Sequence, residues 1–169
     1  MDFNLSIIRH KDADASILER VIAIKQKAWP YPIESQMTWI QSNLSDDDLH
    51  VILTHEGKDV AYMNLVIITF TVNNNTEYMA YGIGNVCAAI KGEGYGGELM
   101  RRVNAYLREK RHCGLLFCKE GLVPFYKLYD WKEVNHNACK EPTLTEGIHI
   151  MTYLAPEEIL DFKYKGKLF

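Results

Sequence analysis

The stretch Val86-Cys87-Ala88-Ala89-Ile90-Lys91-Gly92-Glu93-Gly94-Tyr95-Gly96-Gly97 decides how this chain is read. An apolar run ends in a basic residue, and a glycine-rich loop follows. The next segment, ELMRRVNAYLREKRH (98–112), then sets Leu99, Val103 and Leu107 on one helical face. Strand, glycine loop and helix together form a cradle for phosphate: small residues admit a pyrophosphate to the backbone, and amides at the helix N-terminus hold it. A P-loop is excluded, because Glu98-Leu99 stand where it needs Lys-Ser/Thr. A dinucleotide fingerprint fits Gly92, Gly94 and Gly97, with Glu120 lying 23 residues beyond. Only 49 residues follow Glu120, too few to complete a doubly wound sheet, and the strands before the loop are hairpin-linked. A bare glycine turn would explain the bend but not so many glycines ahead of a helix.

Outward from the loop, the pattern is that of an α+β domain. FNLSIIRH (3–10) reads as a strand, and Asp12 or Asp14 can cap a helix over 15–29, which Pro30 and Pro32 stop. A second helix is expected over 34–44. LHVILTH (49–55) and VAYMNLVIITFTV (60–72) flank a hairpin signal at 55–59, and Asn73-Asn74-Asn75 turns the chain into TEYMAYGIGNVCA (76–88). These runs predict an antiparallel meander. Beyond the glycine loop and its helix come a strand at 115–118, a short helix over 121–129, and strands over 130–138 and 147–155. The order predicts a mixed sheet with helices packed on it.

With 169 residues, 47% of them hydrophobic and 24% charged, the chain suits one folded domain (1–169) and excludes a disordered tail or a disulfide scaffold. The longest apolar run, Val60 to Phe70, is interrupted by Asn64 and too short to cross a bilayer. The segment MDFNLSIIRHKD lacks the plan of a signal peptide, so a cytoplasmic protein is expected, with no membrane partner. Cys87, Cys113, Cys118 and Cys139 are then reduced thiols whose spacing matches no zinc pattern, and no metal is expected. His136-x-x-Cys139 is an isolated pair. H-E-x-x-H and G-x-S-x-G are both lacking. Residues 1–80 carry a net −5 and residues 81–169 a net +2; neither half is basic enough for a nucleic-acid surface. Asp46-Asp47-Asp48 reads as a solvated loop that, at a substrate mouth, would attract a polyamine or aminoglycoside cation.

Two stretches at the right separation carry a family resemblance. The first resembles motif A of the GCN5-related N-acetyltransferases, in which Gln or Arg precedes two spaced small residues. Lys91 stands at the basic position, and Gly94 and Gly96 match. The second, LLFCKEGLVPFYKLYDW (115–131), resembles their motif B: Phe125-Tyr126 and Trp131 match. Asp130 replaces the usual glycine, and Lys119 or Glu120 an asparagine common at that helix start. The end ILDFKYKGKLF (159–169) is similar to that of the aminoglycoside 2′-N-acetyltransferases, through Asp161, Gly166 and the final Phe169.

The resemblance implies a mixed, mostly antiparallel sheet of about seven strands flanked by about four helices. It implies acetyl-coenzyme A as cosubstrate, with Val86, Cys87, Ala88, Lys91, Gly92, Glu93, Gly94, Tyr95, Gly96 and Gly97 binding it and a backbone N–H at Val86 or Cys87 holding the thioester oxygen. Tyr126 would protonate the departing thiolate, which suits a phenol because it stays protonated at neutral pH. Phe169 would bring its carboxylate to the acceptor amine, with Gly166 permitting the bend. The acceptor implied is a small cationic primary amine, handled by a monomer or homodimer. No general base is assigned: the Phe169 carboxylate, Glu34, Asp48, His149 or a water chain could serve. Cys87 raises a ping-pong route, but with no paired His in view direct transfer is expected. A non-catalytic acyl-coenzyme A or nucleotide-binding regulator is the other function class that fits.

Overall fold

The computed structural model describes residues 2–169, which cluster into two compact units. The first holds the chain up to Val66, Gly84–Arg102 and Phe169; the second holds Ile67–Ile83 and Val103–Leu168.

In the first unit, β1 (Phe3–Arg9) pairs antiparallel with β2 (Leu49–His55), Ile7 opposite Val51, and β2 pairs with the start of β3 (Lys58–Val72), Val51 opposite Met63. Glu56 (φ 49°) and Gly57 (φ 75°) make the two-residue loop between β2 and β3. Two positive φ angles there match the right-handed twist of the paired strands. Helix α1 (Ala15–Ala28) is capped by Asp14, whose side chain accepts the Ile17 N–H at 2.9 Å. It buries Val21, Ile22, Ile24 and, less expectedly, Lys25. After Pro30 and Pro32, α2 (Ile33–Asn43) buries Gln36 and Ile40, one turn apart. These faces close over Leu44, Ile52, Tyr62 and Cys87 to form the unit's core. The end of β4 (Thr76–Ala88) and the first turns of α3 (Tyr95–Lys110) complete it.

In the second unit the start of β4 runs parallel to β5 (Cys113–Lys119), with Ala80 opposite Cys113 and Gly82 opposite Leu115. β8 (Ile148–Tyr153) pairs antiparallel with β5, and β6 (Lys132–Glu133) with β8. β9 (Phe162–Lys163) pairs with the end of β3 and, in parallel, with β7 (Cys139–Glu141). Asn73, Asn74 and Asn75 all take positive φ, as their turn requires. The Asn73 side chain also accepts the Leu160 N–H at 2.8 Å and donates to Glu158 O at 2.7 Å, tying down the segment before β9. Among the described residues the α-helices number four, with α4 spanning Val123–Lys127, so the architecture is the mixed sheet with helices that the sequence pattern implied.

Two expected elements differ. Residues 130–138 give only the two-residue β6, because Asn135 accepts the Asn137 N–H at 2.8 Å and starts a 3-10 turn. The helix expected over 121–129 is a 3-10 turn (Glu120–Leu122) followed by α4. Asp130, where the family pattern has glycine, takes φ 64°, which explains why glycine is the easier residue there.

Candidate functional site

The glycine loop lies wholly in the first unit. Lys91, Gly92, Glu93 and Gly94 are exposed, Tyr95 and Gly96 are half-buried, and Gly97 is buried under the first turn of α3. Gly92 (φ 88°) and Gly94 (φ 78°) are left-handed, and an ideal Cβ on either would meet nothing within 4 Å. These glycines therefore serve the path of the chain and leave open space above it. The Glu98 N–H bonds Gly94 O at 3.0 Å, so the helical ladder begins there and the amides just ahead point out of the helix end. Glu98 would oppose an anion at this end, but it is paired with Arg102 (2.7 Å) and Arg101 (3.1 Å). Tyr95 packs against Phe3 and His55, which fixes the loop on β1 and β2.

β4 delivers the chain to this loop through a kink. Asn85 sits at φ 53° within the strand, and its Nδ2 donates to Asn64 Oδ1 at 2.6 Å. Asn64 is fully buried, and its own Nδ2 has no hydrogen-bond partner. An ideal Cβ on Gly84 would stand 2.9 Å from the Phe169 carbonyl carbon and 3.0 Å from Asn64 Nδ2. Gly84 is therefore the residue that lets Phe169 approach β4. Val86 and Ala88 beyond the kink are half-buried, and Cys87 is buried with its thiol pushed up to about 12, chiefly by burial. A thiol so protonated at neutral pH is a poor nucleophile. The chain bends at Gly166 without a left-handed φ. It lies against the Tyr164 ring, whose hydroxyl donates to Lys167 O at 2.5 Å, so the residue is small because an aromatic ring occupies the space.

A cavity of about 390 Å³ opens in the same unit, lined by Lys25, Trp29, Tyr31, Gln36, Trp39 and Asn85. Lys25 is only 4% exposed; its Nζ lies 4.7 Å from the centre of the Trp39 ring, and burial lowers its pKa. Gln36 Nε2 donates to Trp29 O (3.1 Å) and Tyr31 O (3.3 Å), bracing the turn between α1 and α2. Lys25 and Gln36 were not among the residues singled out from sequence. The signal was present in the spacing, since each falls on the buried face of its helix.

Tyr126 belongs to the second unit. It is 6% exposed, and burial followed by the neighbouring Cys118 holds its phenol well above the ordinary range. The phenol therefore stays protonated at neutral pH. The motif around it is rigid: Trp131 is buried, its Nε1 donates to Asn104 Oδ1 at 3.0 Å, and Asn104 Nδ2 donates to Tyr129 O at 2.8 Å.

The candidate bases are mostly engaged elsewhere. Asp48 accepts the Ser45 N–H at 2.7 Å and Asp47 pairs with Lys11 at 2.7 Å, so these acids brace their own loop. Glu34 is exposed on the first turn of α2. His149 donates to Glu133 at 2.7 Å and lies 3.4 Å from His136. Sequence reasoning also missed His50. Fully buried within the apolar run of β2, it joins Tyr62 Oη (2.8 Å) to His10 (3.0 Å), and burial, with His10 and Lys25 nearby, lowers its pKa to about 4.

No family model and no curated protein matches the chain. Solved structures do. An acyl-CoA N-acyltransferase from Pseudomonas aeruginosa aligns at TM-score 0.62 and 18% identity, over 89% of this chain and 99% of that one. PaiA N-acetyltransferase from Thermoplasma acidophilum, in complex with coenzyme A, aligns at 0.53 and 15%, over 90% and 98%. A GCN5-related N-acetyltransferase from Kribbella flavida aligns at 0.59 and 16%, over 78% of this chain and 33% of that one. At these identities the likeness establishes a shared fold, that of the GCN5-related N-acetyltransferases.

Proposed function

We propose that this chain is an acetyl-coenzyme A-dependent N-acetyltransferase that moves the acetyl group directly to a primary amine of a small molecule. The observation that carries the reading is the glycine loop: β4 kinks at Asn85, and the open backbone at Gly92 and Gly94 leads onto the first amides of α3. That arrangement suits a pyrophosphate, with Lys91 as the nearby cation. The backbone of Val86 to Ala88 would take the pantetheine arm and polarise the thioester oxygen. Tyr126, kept protonated by burial, would return a proton to the coenzyme A thiolate. Gly84, lacking a Cβ, leaves room for Phe169 beside β4, where its carboxylate would orient the acceptor amine and accept its proton.

The aminoglycoside-like acceptor expected from sequence has weaker support than transfer itself. Asp47 and Asp48, which would have attracted a cation, are engaged with Lys11 and the Ser45 N–H, and Lys25 lines the 390 Å³ cavity. That cavity offers no carboxylate to serve as a base, and this favours the second reading, a non-catalytic acyl-coenzyme A-binding module. Calorimetry with acetyl-coenzyme A, paired with detection of free thiol over a panel of amines, separates the two. Transfer requires binding and amine-dependent thiol release, whereas a module binds and releases none.

A further inference from the structure

Two groups in the 390 Å³ cavity of the first unit lack the partner their burial demands. The first is Lys25. Its side chain faces the aromatic wall, and the group that acts on it electrostatically is the Cys87 thiol, not a carboxylate. Buried ammonium groups are normally paired, because an unpaired one forfeits its hydration without return. The Trp39 ring supplies part of the compensation. An anion would supply the rest.

The second group is Gln36. Its Nε2 is committed to the Trp29 and Tyr31 carbonyls, and a flipped amide would set its oxygen against both, so the orientation is fixed. Its Oε1 is buried, with no hydrogen-bond partner, in a residue only 4% exposed. The cavity is therefore lined by a cation lacking an anion and by a glutamine whose buried acceptor lacks a donor, between the walls of Trp29, Tyr31 and Trp39.

We infer that this cavity binds a primary amine that also bears a carboxylate and an apolar or aromatic body, in the manner of an aromatic amino acid. The carboxylate pairs with Lys25, an N–H of the amine donates to Gln36 Oε1, and the body packs against the tryptophans. A polycation is disfavoured, since it would bring more positive charge to Lys25 and supply no anion to pair with it. The inference rests on the transfer reading for the fate of the amine, but binding itself does not depend on it.

Trp29 and Trp39 are two of the chain's three tryptophans, so their fluorescence reports occupancy directly. The probes are L-phenylalanine, 3-phenylpropionate and phenethylamine, which differ only in amine and carboxylate. Phenylalanine should bind at least about tenfold tighter than phenethylamine, the scale of one charge-assisted hydrogen bond, with phenylpropionate between them. In Lys25→Met, which keeps an unbranched side chain, the preference should fall to about one; unchanged circular dichroism checks its fold. The wild-type series decides the matter even if that variant does not fold. Phenethylamine binding as tightly as phenylalanine, or no quenching by either carboxylate, overturns the inference. Preferred binding of phenylalanine without thiol release from acetyl-coenzyme A would refute transfer and leave this site standing. Preferred acetylation of phenethylamine would do the reverse.

Discussion

Replacing Gly84 with alanine separates the position of Phe169 from the stability of the fold. The added Cβ would lie 2.9 Å from the Phe169 carbonyl carbon and 3.0 Å from Asn64 Nδ2, where carbon atoms prefer about 3.5–4.0 Å. Asn64 is fully buried and held through Oδ1 by Asn85, so Phe169 is the group that gives way, by roughly 0.5–1 Å. Gly84 does not occupy the left-handed region, so alanine fits its backbone and gains about 0.4–1 kcal/mol from a less flexible unfolded chain. Against that stand about 1–3 kcal/mol of overpacking, for a net loss between about 0 and 2.6 kcal/mol. A displacement of about 1 Å in a positioned reacting group costs on the order of 10²-fold in rate. Gly84→Ala should therefore lower kcat about 10²-fold, measured by thiol release, while urea denaturation shows only the small stability loss. An unchanged kcat in a variant whose crystal structure shows Phe169 displaced would refute the role given to that carboxylate.

Further outcomes test other parts of the account. Gly94→Asp should abolish acetyl-coenzyme A binding in calorimetry while the protein stays folded, because its side chain enters open space as an anion where the pyrophosphate is to sit. Tyr126→Phe should lower kcat by about 10²–10³-fold with little change in cofactor affinity, as loss of a proton donor does. Asn104→Leu should cost about 2–4 kcal/mol in urea denaturation, since the Trp131 indole N–H and Tyr129 carbonyl both lose their partner. His50 has a folded pKa of about 4 against an ordinary 6.5, so the unfolded chain takes up a proton first as pH falls. Its contribution is full above pH 6.5 and is lost as pH drops from there towards 4, by about 3 kcal/mol, and His50→Gln should flatten that slope in denaturation curves.

Local signals were the legible ones. The Asp14 cap, the Asn73–75 turn, the hairpin at Glu56-Gly57 and the apolar stripe of α3 each lie within a few residues of what they determine. The glycine loop was readable for the same reason: its conformation is set by its own glycines. The approach of Phe169 to Gly84 was not, because it joins positions far apart in the chain through a space that only the folded protein defines. Residues 130–138 are expected as a strand, and a single side-chain bond from Asn135 starts a 3-10 turn in their place after β6. Lys25, Gln36 and His50 sit on faces that are otherwise apolar. A polar residue on such a face is ordinarily read as the edge of a stripe, so sequence alone did not mark them as buried. Their partners decide otherwise: an aromatic ring for Lys25, two carbonyls for Gln36, a tyrosine hydroxyl for His50.

Free thiol released from acetyl-coenzyme A, followed with and without a primary amine and matched to acetylated amine by mass spectrometry, tests the central claim most directly. Acetyl transfer requires saturable, amine-dependent release of one thiol for each acetylated amine. Tight binding of acetyl-coenzyme A with no release above the amine-free rate, across amines with and without a carboxylate, would contradict it.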